Sequence, residues 1–250
     1  MKVAKPLISG AVLLAAGRGR RLKPHTDTTP KPLLPVNGRP TLDLYFESLA
    51  AAGVGHAVLV THYLAEQIER YAEQVPARFQ IECGTVSQPQ LDGTASALES
   101  VIAAKEAGDT IATRVIDTAF LLMATDYLIP ANFIADLLSF HTSHDADVSI
   151  SLKRVPEAEL ALRSSARFDK DERILEIVEK PAPGTAPSDL ATNLAFVLPA
   201  SLCSHVKEVG ASARGEREVQ SALNAYLKTG GTARGLLQGT PNEWSEQRNL

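Results

Sequence analysis

The chain has 250 residues, 44% hydrophobic and 22% charged, with a net charge of −4. That length suits one α/β unit with a buried core, and the acidic balance argues against a nucleic-acid binder, whose phosphate contacts need a basic face. Two cysteines, Cys83 and Cys203, show neither metal-ligand spacing nor a disulfide framework, which points to a reducing compartment, the cytoplasm.

In chain order, the apolar run 7–16 is short, broken by Ser9-Gly10 and followed at once by Gly17-Arg18-Gly19-Arg20-Arg21. It reads as a buried strand over 11–15 rather than a signal peptide, and nothing approaches the ~20 apolar residues of a membrane span. Leu42, Tyr45, Phe46 and Leu49 predict a helix over 41–52 stopped by Gly53. Strands follow over 56–60 and 78–83 around a helix over 64–71. A helix over 93–104, a buried strand over 120–124, a helix over 130–141 and a strand over 148–152 come next. Such alternation predicts an α/β, doubly wound, mostly parallel but mixed sheet, a Rossmann-like α/β/α sandwich. Beyond residue 150 the pattern changes to a small antiparallel subregion. It holds a β-pair over 166–169 and 174–178, a Pro/Gly/Ala-rich loop over 181–187 and a strand over 194–198. A helix over 216–227, a strand over 233–237 and a helix over 241–247 complete it. The expected division is a single unit, 1–250, with a nucleotide-binding half (1–150) and an acceptor-binding half (151–250).

The first strand runs into Ala15-Ala16-Gly17-Arg18-Gly19-Arg20-Arg21, then Pro30-Lys31-Pro32. Small residues after a strand let backbone N–H groups approach a phosphate. Arg21 offers a planar fork and Lys31 a point charge toward phosphate oxygens. Taken alone, Gly-x-Gly is equally a tight turn. A dinucleotide fingerprint fails because Leu22 stands where the third glycine belongs, and no P-loop pattern occurs.

The longer string, Gly17-x-Gly19-x-Arg21-Leu22-x-Pro24-x-Thr26 through Pro30-Lys31-Pro32-Leu33-Leu34-Pro35-Val36, resembles the signature of the sugar-1-phosphate nucleotidylyltransferases. The resemblance continues through nearly the whole chain. Gln88-Pro89-Gln90-Leu91-Asp92-Gly93-Thr94-Ala95 resembles the base-reading segment, particularly that of the glucose-1-phosphate thymidylyltransferases. A Gln amide sets a donor beside an acceptor, which suits a base edge, and Gly93 would let the ring lie on bare backbone. Otherwise this is a polar loop capping a helix. Asp126 stands where the family keeps its metal-binding aspartate, with Thr125 for the usual glycine. Glu179-Lys180-Pro181 is similar to the triplet whose lysine contacts the acceptor's phosphate and whose glutamate contacts the sugar. Thr192 and Asn193 open a strand similar to the one lining the sugar pocket, with Leu194 replacing a glycine.

The resemblance implies transfer of a nucleoside monophosphate from an NTP to the phosphate of a sugar-1-phosphate or similar small molecule, releasing pyrophosphate. Arg21, Lys31 and Lys180 would be catalytic, Mg²⁺ would sit on Asp126, and Ala15, Ala16, Gly17, Gly19, Gln88, Gly93 and Thr94 would hold the nucleotide. Glu179, Lys180, Thr192 and Asn193 would hold the acceptor. Gln88 favours dTTP or UTP, with CTP allowed. The partners are these small molecules, not nucleic acid or membrane, and a homo-oligomer built through the second half is compatible with the family. Leu237 stands where the family carries a second metal-ligating acid, and Leu cannot bind a hard cation. A nucleotide-binding homologue with weakened catalysis is therefore an alternative. Leu194 raises another, a non-hexose acceptor such as a cyclitol phosphate, phosphocholine or a phosphonate.

Overall fold

A computed structural model describes residues 8–238 and 242–243. In chain order its regular elements are β1 (Gly10–Leu14), α1 (Thr41–Ala51), β2 (His56–Thr61), α2 (Ala65–Ala72), α3 (Val75–Phe79) and β3 (Glu82–Ser87). Next come α4 (Thr94–Glu106), α5 (Thr110–Val115), β4 (Ala119–Ala124), α6 (Phe133–Ser143), β5 (Val148–Arg154) and α7 (Glu157–Leu160). Then β6 (Ser164–Phe168), β7 (Ile174–Glu179), β8 (Leu190–Pro199), α8 (Cys203–Lys207), α9 (Val219–Lys228) and β9 (Ala233–Leu237) follow.

The sheet has nine strands in the order β7-β6-β8-β4-β1-β2-β3, with β5 on β8 and β9 on β5. Strands β3, β2, β1 and β4 form a parallel nucleus. β8 runs antiparallel to both β4 and β5, while β9 lies parallel to β5. The expected mixed α/β/α sandwich is thus present. Alternation along β1 distributes its side chains to two cores. Val12 joins the core under α4 and α9, and Ala11 and Leu13 join the one under α1 and α6.

One expected strand is displaced. Residues 78–81 do not belong to it. Pro76, tolerated in a helix's first turn, opens α3, whose Phe79 stacks on Phe46 with ring centroids 5.6 Å apart. Gln80 then takes a left-handed conformation (φ 58°) that ends the helix, and the strand begins at Glu82. The helix expected over 241–247 is also corrected where the structure describes it. Asn242–Glu243 pair antiparallel with Tyr127–Leu128, and the rest of that stretch lies outside the described residues.

Candidate active site

Strand order reverses at β1, which has β2 on one side and β4 on the other. Open α/β sheets bind ligands outside the carboxyl ends of strands at such a point. A cleft of about 610 Å³ lies there, lined by Ala15, Ala16, Gly17, Gly19, Arg21, Lys31, Gln88, Gly93, Thr94, Asp126, Glu179, Lys180 and Thr192.

The loop after β1 is shaped by its own signature residues. Thr26, 1% exposed, donates from Oγ1 to the Gly19 carbonyl at 3.0 Å. Gly19 has φ 59°, and a Cβ there would lie 2.8 Å from Thr26 Cγ2 and 3.1 Å from Lys31 Cβ, so only glycine fits. By contrast, a Cβ on Gly17 would meet nothing within 4 Å. The chain's own packing does not demand glycine there, and the bare backbone borders the cleft. Tyr63 Oη and Gln67 Nε2 hold the loop from β2's far end and α2, donating to the carbonyls of Thr26 (2.9 Å) and Thr28 (2.8 Å).

Asp126 follows β4. Thr125 Oγ1 donates to the Leu14 carbonyl at 2.7 Å, tying this turn to β1. The buried Tyr45 hydroxyl donates to the Tyr127 carbonyl (2.8 Å) and accepts from the Tyr127 amide (3.1 Å). Burial, and secondarily the Asp126 charge, pushes that hydroxyl's pKa well up, so it remains a donor. Asp126 Oδ2 stands 3.7 Å from Lys31 Nζ, and Oδ1 is buried with no hydrogen-bond partner among the described residues. A carboxylate so little satisfied by its own chain suits a cation. Mg²⁺ accepts one or two carboxylates completed by waters and phosphate oxygens, so the residue present fits that ion. Among the described residues there is no cluster of three or more His, Cys, Asp or Glu that could hold a metal. Leu237 is 54% exposed and does not line the cleft.

Gln88 is buried, and its Nε2 donates to the Gly93 carbonyl at 3.1 Å. Half of the amide pair expected to read a base is therefore engaged within the chain, and Oε1 is the end left to accept from a ligand. Gly93 is also glycine for a further reason. At φ 132°, a Cβ would lie 2.0 Å from the Arg217 carbonyl oxygen.

At the opposite end, Lys180 adopts φ 44° and donates its N–H to the Arg163 carbonyl at 2.8 Å. Burial raises the Glu179 pKa above the ordinary carboxyl value; Glu218 adds to this, while a hydrogen bond with Ser164 and the charges of Lys180 and Arg214 oppose it. Asn193, expected at the acceptor, is not among the residues lining the cleft. Thr192 and Leu194 line the cleft, whereas Asn193 alternates to the other face and donates from Nδ2 to Ser151 Oγ at 3.0 Å. A register shift between Thr192 and Phe196 accompanies this stretch of β8, as bulges often do beside sites.

Arg163, Ser164, Glu218 and Gln220 also line this end, and sequence reasoning missed them. They sit in ordinary strand and helix-entry contexts with no local signature. Neither cysteine lines the cleft, and burial pushes the Cys83 thiol up to about 12 and the Cys203 thiol up to about 11.

An α/β sandwich thus carries a glycine-and-cation loop, an acid and a lysine around one strand-end cleft. The chain belongs to the Nucleotidyl transferase family, which it matches over residues 10–245. It is 32% identical over 216 residues to a mannose-1-phosphate guanylyltransferase of Mycobacterium tuberculosis, covering 86% of this chain and 55% of that one. It therefore spans about half the length of that relative. It is 28% identical over 226 residues to a UTP–glucose-1-phosphate uridylyltransferase of Haloferax volcanii, covering 89% and 85%. The crystal structure of a UDP-glucose pyrophosphorylase complexed with UDP-glucose shares the fold, with TM-score 0.78 and 21% identity over 93% of this chain and 92% of that one.

Proposed function

We propose that this chain transfers a nucleoside monophosphate from an NTP to the phosphate of a sugar-1-phosphate, releasing pyrophosphate. One observation carries the reading: Arg21, Lys31, Asp126 and Lys180, remote in sequence, line one cleft. A phosphate monoester is largely dianionic near neutrality, so its oxygen needs no general base. That oxygen attacks the α-phosphorus, the bond from the α-phosphorus to the bridging oxygen breaks, and pyrophosphate carries the electron pair away. The chain's work is alignment of two anions and neutralisation of charge spreading over phosphate oxygens.

Arg21 and Lys31 hold the triphosphate against the backbone of Ala15, Ala16, Gly17 and Gly19. Lys180 offsets repulsion between the acceptor and the α-phosphate. Gln88, Gly93 and Thr94 take the base, and Glu179 and Thr192 the acceptor's body. Asp126 would hold Mg²⁺, which when bound neutralises triphosphate charge. The division into a nucleotide half (1–150) and an acceptor half (151–250) within one unit follows from these roles, and a cytoplasmic location suits substrates of this kind. Among the described residues no helix is long and apolar enough to cross a membrane.

The Gln88 acceptor atom suits the N3–H of uracil or thymine, hence UTP or dTTP. Leu194, lining the cleft where the family keeps a glycine, favours a second reading of the acceptor: the same chemistry on a body other than an ordinary hexose. Pyrophosphate release should be measured for UTP, dTTP, CTP and GTP against hexose-1-phosphates, a cyclitol phosphate, phosphocholine and a phosphonate. Release with a sugar-1-phosphate supports the proposal, and release only with another acceptor moves it to the second reading. Nucleotide binding without release anywhere leaves the weakened homologue that Leu237 suggests.

A further inference from the structure

The base-reading loop and the acceptor wall are joined at one residue. Arg217 donates its backbone N–H to the Asp92 carbonyl at 2.6 Å, and its carbonyl accepts from the Ala95 N–H at 2.9 Å. Gly93 lies between these two bonds, packed so closely that a Cβ would sit 2.6 Å from the Arg217 nitrogen. One residue after Gly93 and two after Arg217, the Val219 N–H donates to Thr94 Oγ1 at 3.0 Å. The backbone of the entry to α9 is thus laid directly along the base loop.

Side-chain directions divide along this extended segment. Glu216 and Glu218 line the ligand cleft, while Arg217 lines a second hollow of about 470 Å³ with Ser96 and Glu99. From there its guanidinium grips α4, α8 and the turn after α8. Nε donates to the Val209 carbonyl at 2.8 Å, and Nη2 to that of Val206 at 3.4 Å. Nη1 donates to Ser96 Oγ at 3.3 Å and pairs with Glu99 on α4. The planar fork satisfies these divergent acceptors together, which a lysine cannot do.

We propose that Arg217 is the positioning residue that couples the base subsite to the acceptor subsite. It acts through Gly93 on one side and through Glu218 and Gln220 on the other. The proposal rests on the reading of the cleft as a nucleotide-and-acceptor site. A base seated against Gln88 bears on Gly93 through the Gln88–Gly93 hydrogen bond, and a shift of Gly93 must move Arg217, since no slack separates them. That shift carries Glu218, which acts electrostatically on Glu179, and Gln220, whose Nε2 donates to Glu179 Oε2 at 3.1 Å. The guanidinium anchors the segment from behind, so that movement reaches the acceptor wall instead of dissipating into the loop before it.

The test is calorimetric titration of the intact chain with α,β-methylene-UTP and with glucose 1-phosphate, each alone and with the other saturating, in Mg²⁺. Wild type, Arg217→Lys and Glu99→Gln are compared, with melting curves to establish folding. In wild type each probe should tighten the other on the order of tenfold, within the usual range for coupled sites. In Arg217→Lys that factor should fall below about threefold while either probe alone binds within about threefold of wild type, and Glu99→Gln should fall between. A merely structural arginine would lower the melting temperature and leave the factor unchanged. Wild-type coupling retained in a folded Arg217→Lys, or a factor near one in wild type, overturns the proposal. Failure of wild type to bind both the UTP analogue and its dTTP counterpart instead overturns the functional reading on which the proposal stands, and failure to bind glucose 1-phosphate alone moves the titration to the acceptor that supports pyrophosphate release.

Discussion

Lys31 and Asp126, from the loop after β1 and the turn after β4, meet with Nζ 3.7 Å from Oδ2. Their side chains are 21% and 46% exposed, and an ion pair of that exposure contributes at most about 1 kcal/mol to stability. The pair is therefore poorly explained as a structural bridge. Under the proposed function it is a cation and an anion held ready for a ligand that carries the complementary charges.

Asp126→Asn should fold as the wild type does and lose Mg²⁺-dependent turnover. Pyrophosphate release titrated against Mg²⁺ checks this, and an unchanged metal dependence would move the ion to another residue. Chelation should abolish wild-type turnover and added Mg²⁺ should restore it.

Arg21→Ala should cost on the order of 10² in kcat, the magnitude for one lost charge stabiliser. Lys180→Ala removes the charge while keeping the Cβ that the native φ of 44° already accommodates. A loss on the order of 10² in kcat/KM for the acceptor is expected. Near-wild-type kinetics in both variants would sink their assignment.

Tyr45→Phe removes the hydroxyl that both donates to and accepts from Tyr127. Loss of these buried bonds should destabilise the fold by about 1–3 kcal/mol, read as a lower urea midpoint at unchanged m. Because Asp126 immediately precedes the released residue, turnover should fall further than that of an equally destabilised variant remote from β4.

Glu179 has its carboxyl raised above 4.5, chiefly by burial, so the native state holds that proton more tightly than the unfolded chain. The associated stability is present in acid and is lost as pH rises through the folded value. Glu179→Gln should therefore melt with the wild type at pH 4 and progressively above it toward pH 8, while acceptor affinity drops. Parallel melting temperatures across that range would show that the carboxyl is unperturbed.

The order of elements was readable locally. Apolar runs mark β1, β4 and α1, the first and last of them stopped by glycine, because strand and helix periods are properties of neighbouring residues. The cleft's stations were readable in part: Gly17, Arg21 and Lys31 stand in one string of small and cationic residues, Asp126 and Lys180 were placed by the family resemblance, and all five line the cleft. Orientation was decided only by the tertiary structure. Whether Thr192 or Asn193 faces the cleft depends on the phase of β8 against β5 across a register shift. Which end of the Gln88 amide is free depends on a carbonyl presented by Gly93. Gly93 itself is glycine because Arg217, distant in sequence, passes too close for a Cβ. Contacts of this kind are set by packing between segments, and no local period or propensity encodes them.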